Sequence, residues 1–282
     1  MINDRCKICF LKTYQLLLDK FAFNDKQTKI FLSYFSEIIK KKEINSPPEL
    51  QQILNKKFCE LANNYDLFAE EKEISNKIAE DIYNEWKPKL LNSNNPYDLA
   101  LKLSIAGNIM DYGASSDFDI YKTINEVLKT PFNIDHSILL EKQIKKANKI
   151  LYLGDNAGEI VFDKLFIETV LKNKQIIFAV RNSPILNDVT YSDAIETKMN
   201  KIANIISNGY DAPSTILNKC SKEFLKVYDN ADLIISKGQG NLEGLLNEND
   251  SRIFFLLMVK CDVIAEILDV KKGSFIVLNR EI

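Results

Sequence analysis

Three polar clusters interrupt the apolar second half of this chain, and their residue types suggest chemistry. The stretch LYLGDNAGEIVFD runs from Leu151 to Asp163. An apolar run stops at Asp155 and Asn156, passes Gly158 and Glu159, and turns apolar again at helical spacing. A second cluster holds Arg181-Asn182-Ser183-Pro184 and then Asn187-Asp188-Val189-Thr190, and a third reads Lys237-Gly238-Gln239-Gly240-Asn241. Asp155, Asn156 and Asp188 offer two carboxylates and an amide oxygen. Such a hard, all-oxygen set suits one divalent ion, with waters and substrate oxygens completing the shell, and leaves Mg, Mn, Co and Ni open. Each of these residues alone also reads as a helix cap or an Asx-turn. The grouping of acid, amide and acid at strand ends is what favours a metal.

The glycines add an anion to the argument. Gly158 heads a helix without a side chain, so backbone N–H groups there are open to an anion. Lys237 followed by Gly238 and Gly240 is a similar device: a positive charge, bare backbone, then a helix. Phosphate is the anion such a pair would hold, with Arg181 in the second cluster as a further contact. The bland alternative is a pair of β–α turns that use Gly for positive φ. Familiar nucleotide and hydrolase signatures are missing: there is no G-x-x-x-x-G-K-[ST], no G-x-G-x-x-G after the first strand and no G-x-S-x-G. Zinc-type Cys/His spacing is missing too, and the single histidine, His136, reads as structural.

These clusters need a scaffold that brings them together. From about residue 10 to 128 the apolar pattern is helical: Phe31, Phe35, Ile38 and Ile39 recur at three- and four-residue spacing, as do Ile74, Ile78 and Ile82. Polar joints such as Asn45-Ser46-Pro47-Pro48 and Asn92-Ser93-Asn94-Asn95-Pro96 separate the helices. After about residue 132, short apolar runs alternate with helical patterns. Strands are expected at 149–153, 175–180, 204–207, 232–236, 253–259 and 274–278, with helices at 159–171 and 214–228 between them. Continuous apolar strands alternating with helices indicate a mostly parallel sheet covered on both faces. The reading is an all-helical domain over residues 1–130 and a doubly wound, Rossmann-like α/β domain over 131–282. In such sheets ligands bind beyond the carboxyl ends of the strands, which is where all three clusters fall. If the first two of these strands are neighbours, Asp188 faces Asp155.

The 282 residues carry 46% hydrophobic and 27% charged side chains and a formal net charge of −2, so no overall positive field invites nucleic acid. The run Lys40-Lys41-Lys42 reads as a solvated helix end. No stretch approaches the roughly 18 apolar residues of a membrane span, and the first residues lack a signal-peptide pattern. An odd count of 5 cysteines argues for a reducing cytoplasm over a disulfide framework.

The segments LGDNAGEIVFD, RNSPILNDVTYSDA and SKGQGNLEGL, in this order, resemble the three signatures of the damage-control phosphatases, a family long filed as a domain of unknown function. Upstream, LKLSIAGNIMDYG resembles the family's Gly-Asn-x-x-Asp segment. The resemblance implies a helical domain over a Rossmann-like domain with one divalent metal in the cleft, held by Asp155, Asn156 and Asp188. It implies that Lys237 contacts phosphate and that Asn108 and Asp111 face the substrate from the helical side. Asp193 matches a later acid of the second motif. The implied reaction is hydrolysis of phosphate monoesters of small metabolites, either sugar phosphates or damaged phosphometabolites. Cys6-Lys7-Ile8-Cys9 resembles the C-x-x-C of the family's small prokaryotic branch, although a C-x-x-C also packs helix faces.

For the chemistry, a metal-bound water attacking phosphorus is preferred over an aspartyl nucleophile, because Asn156 and Ala157 follow Asp155 where an Asp-x-Asp would be needed. Asp193 or Glu159 is then the candidate base. Two other functions are open. One is a methyltransferase that binds S-adenosylmethionine in the cleft. The other is a non-enzymatic module for phosphorylated ligands, which would not require Asp188. Oligomeric state has no signature in the sequence.

Overall fold

The computed structural model describes residues 2–41, 43–108 and 120–280. Its first part is helical, and the two polar joints expected at 45–48 and 92–96 each supply a helix cap. Helix α1 (Asp4–Lys20) is capped by Asn3, and α2 (Asp25–Ile38) by a reciprocal box between Asn24 and Gln27. Ser46 and Pro47 open α3 (Pro47–Ala62), and Asn95 and Pro96 open α5 (Pro96–Gly107). Between those two lies α4 (Ala69–Leu91), and α6 (Ile120–Lys129) closes the series. None of these helices is long and apolar enough to cross a membrane.

The second part alternates β1 (Ile134–Asp135), α7 (Ser137–Lys146), β2 (Lys149–Leu153), α8 (Glu159–Val170), β3 (Gln175–Val180), α9 (Tyr191–Glu196) and β4 (Asn204–Ser207). It continues with α10 (Lys222–Asp229), β5 (Leu233–Lys237), α11 (Gly238–Leu245), β6 (Ile253–Met258), α12 (Asp262–Leu268) and β7 (Phe275–Asn279). The seven strands form one sheet in the order β1-β7-β6-β5-β2-β3-β4. The strands β6, β5, β2, β3 and β4 pair in parallel, as their continuous apolar runs imply. The edge departs from this: β7 runs antiparallel to β6, and the two-residue β1, which has no apolar run of its own, pairs with β7. His136 follows β1, and its Nδ1 accepts the backbone N–H of Asn279 at 2.9 Å, a structural bond that ties the two edge segments together.

The helix expected at 214–228 is shorter. A 3-10 turn at Leu217–Lys219 comes first, and the hydroxyl of Ser221 caps the N-terminus of α10. The strand expected at 232–236 lies one residue later, so Lys237 is its last residue.

The change in element type falls between Lys129 and Ile134, but burial divides the chain elsewhere. One core joins α4, α5, α6, α7 and α8 to one face of the sheet, with Ile82, Leu101, Phe162, Phe166, Tyr152 and Phe178 among its members. The opposite face packs on α10, α11 and α12 through Phe224, Leu242, Ile264 and Phe255. Only α1, α2 and α3 keep a separate core, built on Tyr14, Phe31, Leu54 and Phe58. Contact between α5 and α8 is close: a Cβ on Gly107 would lie 3.0 Å from the Phe162 side chain. That contact brings the end of α5, and Asn108 just after it, onto the carboxyl end of the sheet.

Candidate active site

Strand β2 is central, with β3 on one side and β5 on the other. The chain walks outward from β2 through β3 to β4 and then returns to β5, so the direction of winding reverses between β2 and β5. An α/β sheet opens a crevice at such a reversal. Asp155 leaves β2 at that point, and Lys237 ends β5 beside it.

The second cluster closes onto the first by backbone pairing. Asn156 and Asp188 form an isolated antiparallel bridge. The N–H of Val189 donates to Asp155 O at 2.8 Å, and the N–H of Ala157 to Asn187 O at 2.9 Å. Asp155, Asn156 and Asp188 are thereby brought to one place, and all three border one cavity of about 490 Å³. The third cluster closes in from β5. Gly238 has φ +75°, and a Cβ there would lie 1.8 Å from Asp155 Oδ2, so only glycine leaves room for the carboxylate. Asn241, unforeseen from the sequence, braces the loops: its Nδ2 donates to Gly154 O at 3.0 Å and Lys237 O at 2.8 Å, and its Oδ1 accepts from Arg181 NH1 at 3.1 Å.

Arg181 is fully buried and lies between the two candidate ligand acids. Its Nε donates to Asp188 Oδ2 at 2.6 Å, and its NH2 is 3.5 Å from Asp155 Oδ1 and has no hydrogen-bond partner among the described residues. Asn108 bridges two acids, donating from Nδ2 to Asp155 Oδ2 at 3.0 Å and to Glu159 Oε2 at 2.9 Å. Asp111 lies outside the described residues.

Behind this layer sits an ion-pair network that has no access to solvent. Lys237 Nζ donates to Ser104 O at 3.0 Å, Glu159 Oε1 at 2.7 Å and Asp163 Oδ1 at 2.5 Å. Asp163 Oδ1 also accepts from Tyr152 OH at 2.8 Å and Ser104 Oγ at 2.9 Å, while its Oδ2 has no partner among the described residues. Burial works against the Lys237 charge, but Asp163 and Glu159 outweigh it and hold the ammonium above its ordinary pKa. Burial pushes Asp163 up to about 6 against the pull of Lys237. Asp188 also stands at about 6, raised by burial against the pull of Arg181. Asp155 is raised well above the carboxylate range by burial and then by the Glu159 and Asp188 charges. The site thus holds more buried carboxylate than its cations neutralise.

Several candidates have other work in this geometry. All three Lys237 donors are spent on the protein, so phosphate would have to displace one of them. The Gly158 N–H donates to Asn76 Oδ1 from α4 at 2.7 Å, so it is not bare. Glu159 gives one oxygen to Lys237 and the other to the amides of Asn108 and Asn156. Asp193 forms a capping box with Thr190, whose N–H and hydroxyl donate to its Oδ2 at 2.8 and 2.6 Å, and it pairs with Lys72 at 3.5 Å. Among the described residues Glu159, Asp193 and Lys237 are not walls of the cavity, whereas Asp155 and Asp188 are.

The donor types, two carboxylates and an amide, suit a hard divalent cation, although Asn156 here turns its NH2 to Asp155 Oδ2 at 2.8 Å and Glu159 Oε2 at 3.2 Å, so its oxygen would have to turn to reach an ion. No three Asp, Glu, His or Cys side chains converge on a single metal position among the described residues, so protein carboxylates alone do not complete a shell there. An ion would need the Asn156 oxygen, water and substrate oxygens. Both cysteines of the C-x-x-C, Cys6 and Cys9, border the same cavity from α1 as free thiols, and burial raises Cys6 to about 11.

Comparison with known proteins identifies the family of the chain. The profile of the damage-control phosphatase ARMT1-like domain matches residues 2–276. A protein of Methanocaldococcus jannaschii described as uncharacterised is 34% identical over 291 residues, covering 99% of this chain and 95% of that one. A damage-control phosphatase of Pyrococcus horikoshii is 37% identical over 221 residues, covering 77% of this chain and 76% of its own. A damage-control phosphatase of Archaeoglobus fulgidus is 30% identical over 256 residues, covering 89% and 87%. The crystal structure of a DUF89 family protein from Pyrococcus horikoshii superposes with a TM-score of 0.90 at 29% identity and covers 99% of both chains. With the family profile spanning nearly its whole length, this chain belongs to the damage-control phosphatase family.

Proposed function

We propose that the protein is a metal-dependent phosphomonoesterase acting on small phosphorylated metabolites, with sugar phosphates or damaged phosphometabolites as the substrate class. The observation that carries this reading is the meeting of Asp155, Asn156 and Asp188 on one cavity at the winding reversal of the sheet, with the buried acids Glu159 and Asp163 close behind. Asp155, Asn156 and Asp188 would hold the ion, whether Mn, Mg, Co or Ni. A bound divalent ion supplies Lewis-acid polarisation of a phosphate oxygen.

The chain's own groups do the rest. Arg181 orients Asp188 through the 2.6 Å bond, and Asn108 orients Asp155. Gly238 lets α11 begin against Asp155, and by helix geometry the first N–H groups of α11 have no partner within the helix. These N–H groups are the anion contacts nearest the acids. Lys237 acts from behind, keeping Glu159 and Asp163 in place.

The test is phosphate release from p-nitrophenyl phosphate in metal-free buffer and after addition of each divalent ion. The expected result is turnover that depends on the metal and is reduced at least 100-fold in Asp155→Ala and Asp188→Ala. Undiminished activity in Asp155→Ala would sink the metal assignment, and turnover indifferent to chelators would sink the metal dependence.

A further inference from the structure

The cavity extends well beyond the three candidate metal ligands, and helix α11 lines it through Gln239, Gly240 and Glu243. Gly240 lies near Asp155: a Cβ on it would be 3.9 Å from Asp155 Oδ1. Glu243 follows three residues later, so it shares that helix face at a rise of about 4.5 Å. Both border the cavity. Gln239 fixes the carboxylate, donating from Nε2 to Glu243 Oε1 at 2.8 Å while its own Oε1 accepts the Lys260 N–H at 2.8 Å. Gln239 is the single hydrogen-bond donor to Glu243 among the described residues, and it engages one of the two carboxyl oxygens. Lys260 also borders the cavity, and Phe10 and Pro47 supply apolar surface from α1 and α3. Burial raises the Glu243 carboxyl to about 7 and lowers the Lys260 ammonium to about 7.

We propose that Glu243, positioned by Gln239 and accompanied by Lys260, is the specificity-determining residue that reads the hydroxyl groups of the leaving group of a phosphorylated polyol. The inference rests on the phosphatase reading and deepens it. A phosphate anchored at Asp155, Asn156 and Asp188 places the next few carbons of its ester one helical turn along α11, where the Glu243 carboxyl lies. A sugar has hydroxyls on its edges and C–H groups on its faces. The Glu243 carboxyl and the Phe10 ring and Pro47 on the same cavity offer a hydrogen-bonding group and apolar surface that match those two features. An aryl phosphate would make the phosphate contacts and leave the carboxyl unused.

The experiment compares kcat/KM for glucose 6-phosphate, ribose 5-phosphate and glycerol 3-phosphate with kcat/KM for p-nitrophenyl phosphate, in the parent, Glu243→Gln and Glu243→Ala. The expected result for Glu243→Ala is a fall of about 10- to 100-fold in the ratio for the best polyol phosphate, the range for losing a hydrogen bond to a charged group. The fall is expected mainly in KM, with a smaller fall in Glu243→Gln. A ratio unchanged within twofold overturns the proposal. So does a parent that hydrolyses the aryl ester but none of the polyol esters. A loss confined to kcat overturns it as well, because it would make Glu243 a proton donor instead. Should the parent release phosphate from none of the four esters, the phosphatase reading fails on its own. Calorimetry with glucose 6-phosphate and Mn²⁺ then decides the subsite: binding weakened in Glu243→Ala supports it, and equal or absent binding overturns it.

Discussion

Replacing Lys237 by methionine separates two roles that the residue could have. The ammonium is completely buried and bonded to Ser104 O, Glu159 and Asp163. Methionine fills similar space without the charge, so packing is nearly conserved and the electrostatic loss dominates. Removing one partner of a buried ion pair typically costs about 3–5 kcal/mol, because the remaining charge has neither water nor a counterion. For a chain of this size that corresponds to a fall of roughly 10 °C in Tm.

The pH dependence gives the sharper readout. Asp163 already sits at about 6 with Lys237 beside it, raised by burial. Without the lysine its folded-state pKa rises further, while the unfolded value is unchanged. A folded-state pKa raised above the unfolded one contributes stability at low pH that is lost as pH rises through the folded value. The deficit of Lys237→Met is therefore expected to be largest near pH 8 and to shrink toward pH 5, where the acids accept protons. The assay is urea unfolding of parent and variant at pH 5, 6.5 and 8, with Asp163→Asn and the double variant completing a cycle. The cycle should return a coupling energy above about 1 kcal/mol at pH 8. A deficit below about 1 kcal/mol at pH 8, or one equal at both extremes, would refute the reasoning. Loss of phosphate affinity at unchanged stability would make Lys237 a ligand contact instead.

Two further substitutions, one with a control, probe helix α11. Gly238→Ala is expected to abolish calorimetric binding of Mn²⁺ and to lower Tm, since the added Cβ would sit 1.8 Å from Asp155 Oδ2 at φ +75°. Gly273→Ala is the control, with φ +87° but no atom within 4 Å, and should cost only about 1 kcal/mol of backbone strain. Glu243→Gln should flatten the pH dependence of stability. Burial raises the Glu243 carboxyl to about 7 in the folded chain, so the parent loses stability as pH rises from about 4.5 through 7, on the order of 3 kcal/mol, and the neutral amide does not. Parallel unfolding curves for parent and variant from pH 4.5 to 8 would contradict that.

What the sequence made legible follows from how local each signal is. Asp155, Asn156 and Asp188 could be singled out because a parallel sheet sends every strand's carboxyl end to the same edge, so short polar residues just after apolar runs become neighbours whatever the helices do. Ser46 and Asn95 could be read as helix starts because capping involves only the next three residues. Direction at the sheet edge could not be read, since an apolar run such as Ser274–Leu278 looks the same in either orientation and β1 is too short to have a pattern.

The partners of Lys237 were hidden for a different reason. Asp163 sits in EIVFDKLF, where an acid ordinarily marks the solvent face of a helix, but α8 is buried on every side from Glu159 to Ile167 because α4, α5 and the sheet all cover it. One clue was available: a helix that is apolar all round is buried all round, so any charge within it needs a partner from elsewhere. Applied to Glu159, Asp163 and Lys164, that rule demands counter-charges from other elements. The structure supplies them as Lys237 from β5 for the two acids and Glu80 from α4 for Lys164. A glycine-flanked lysine at a strand end therefore has two competing explanations in this fold. The acids buried in α8 account for the ion pairs that Lys237 makes here, and a phosphate would have to compete with them.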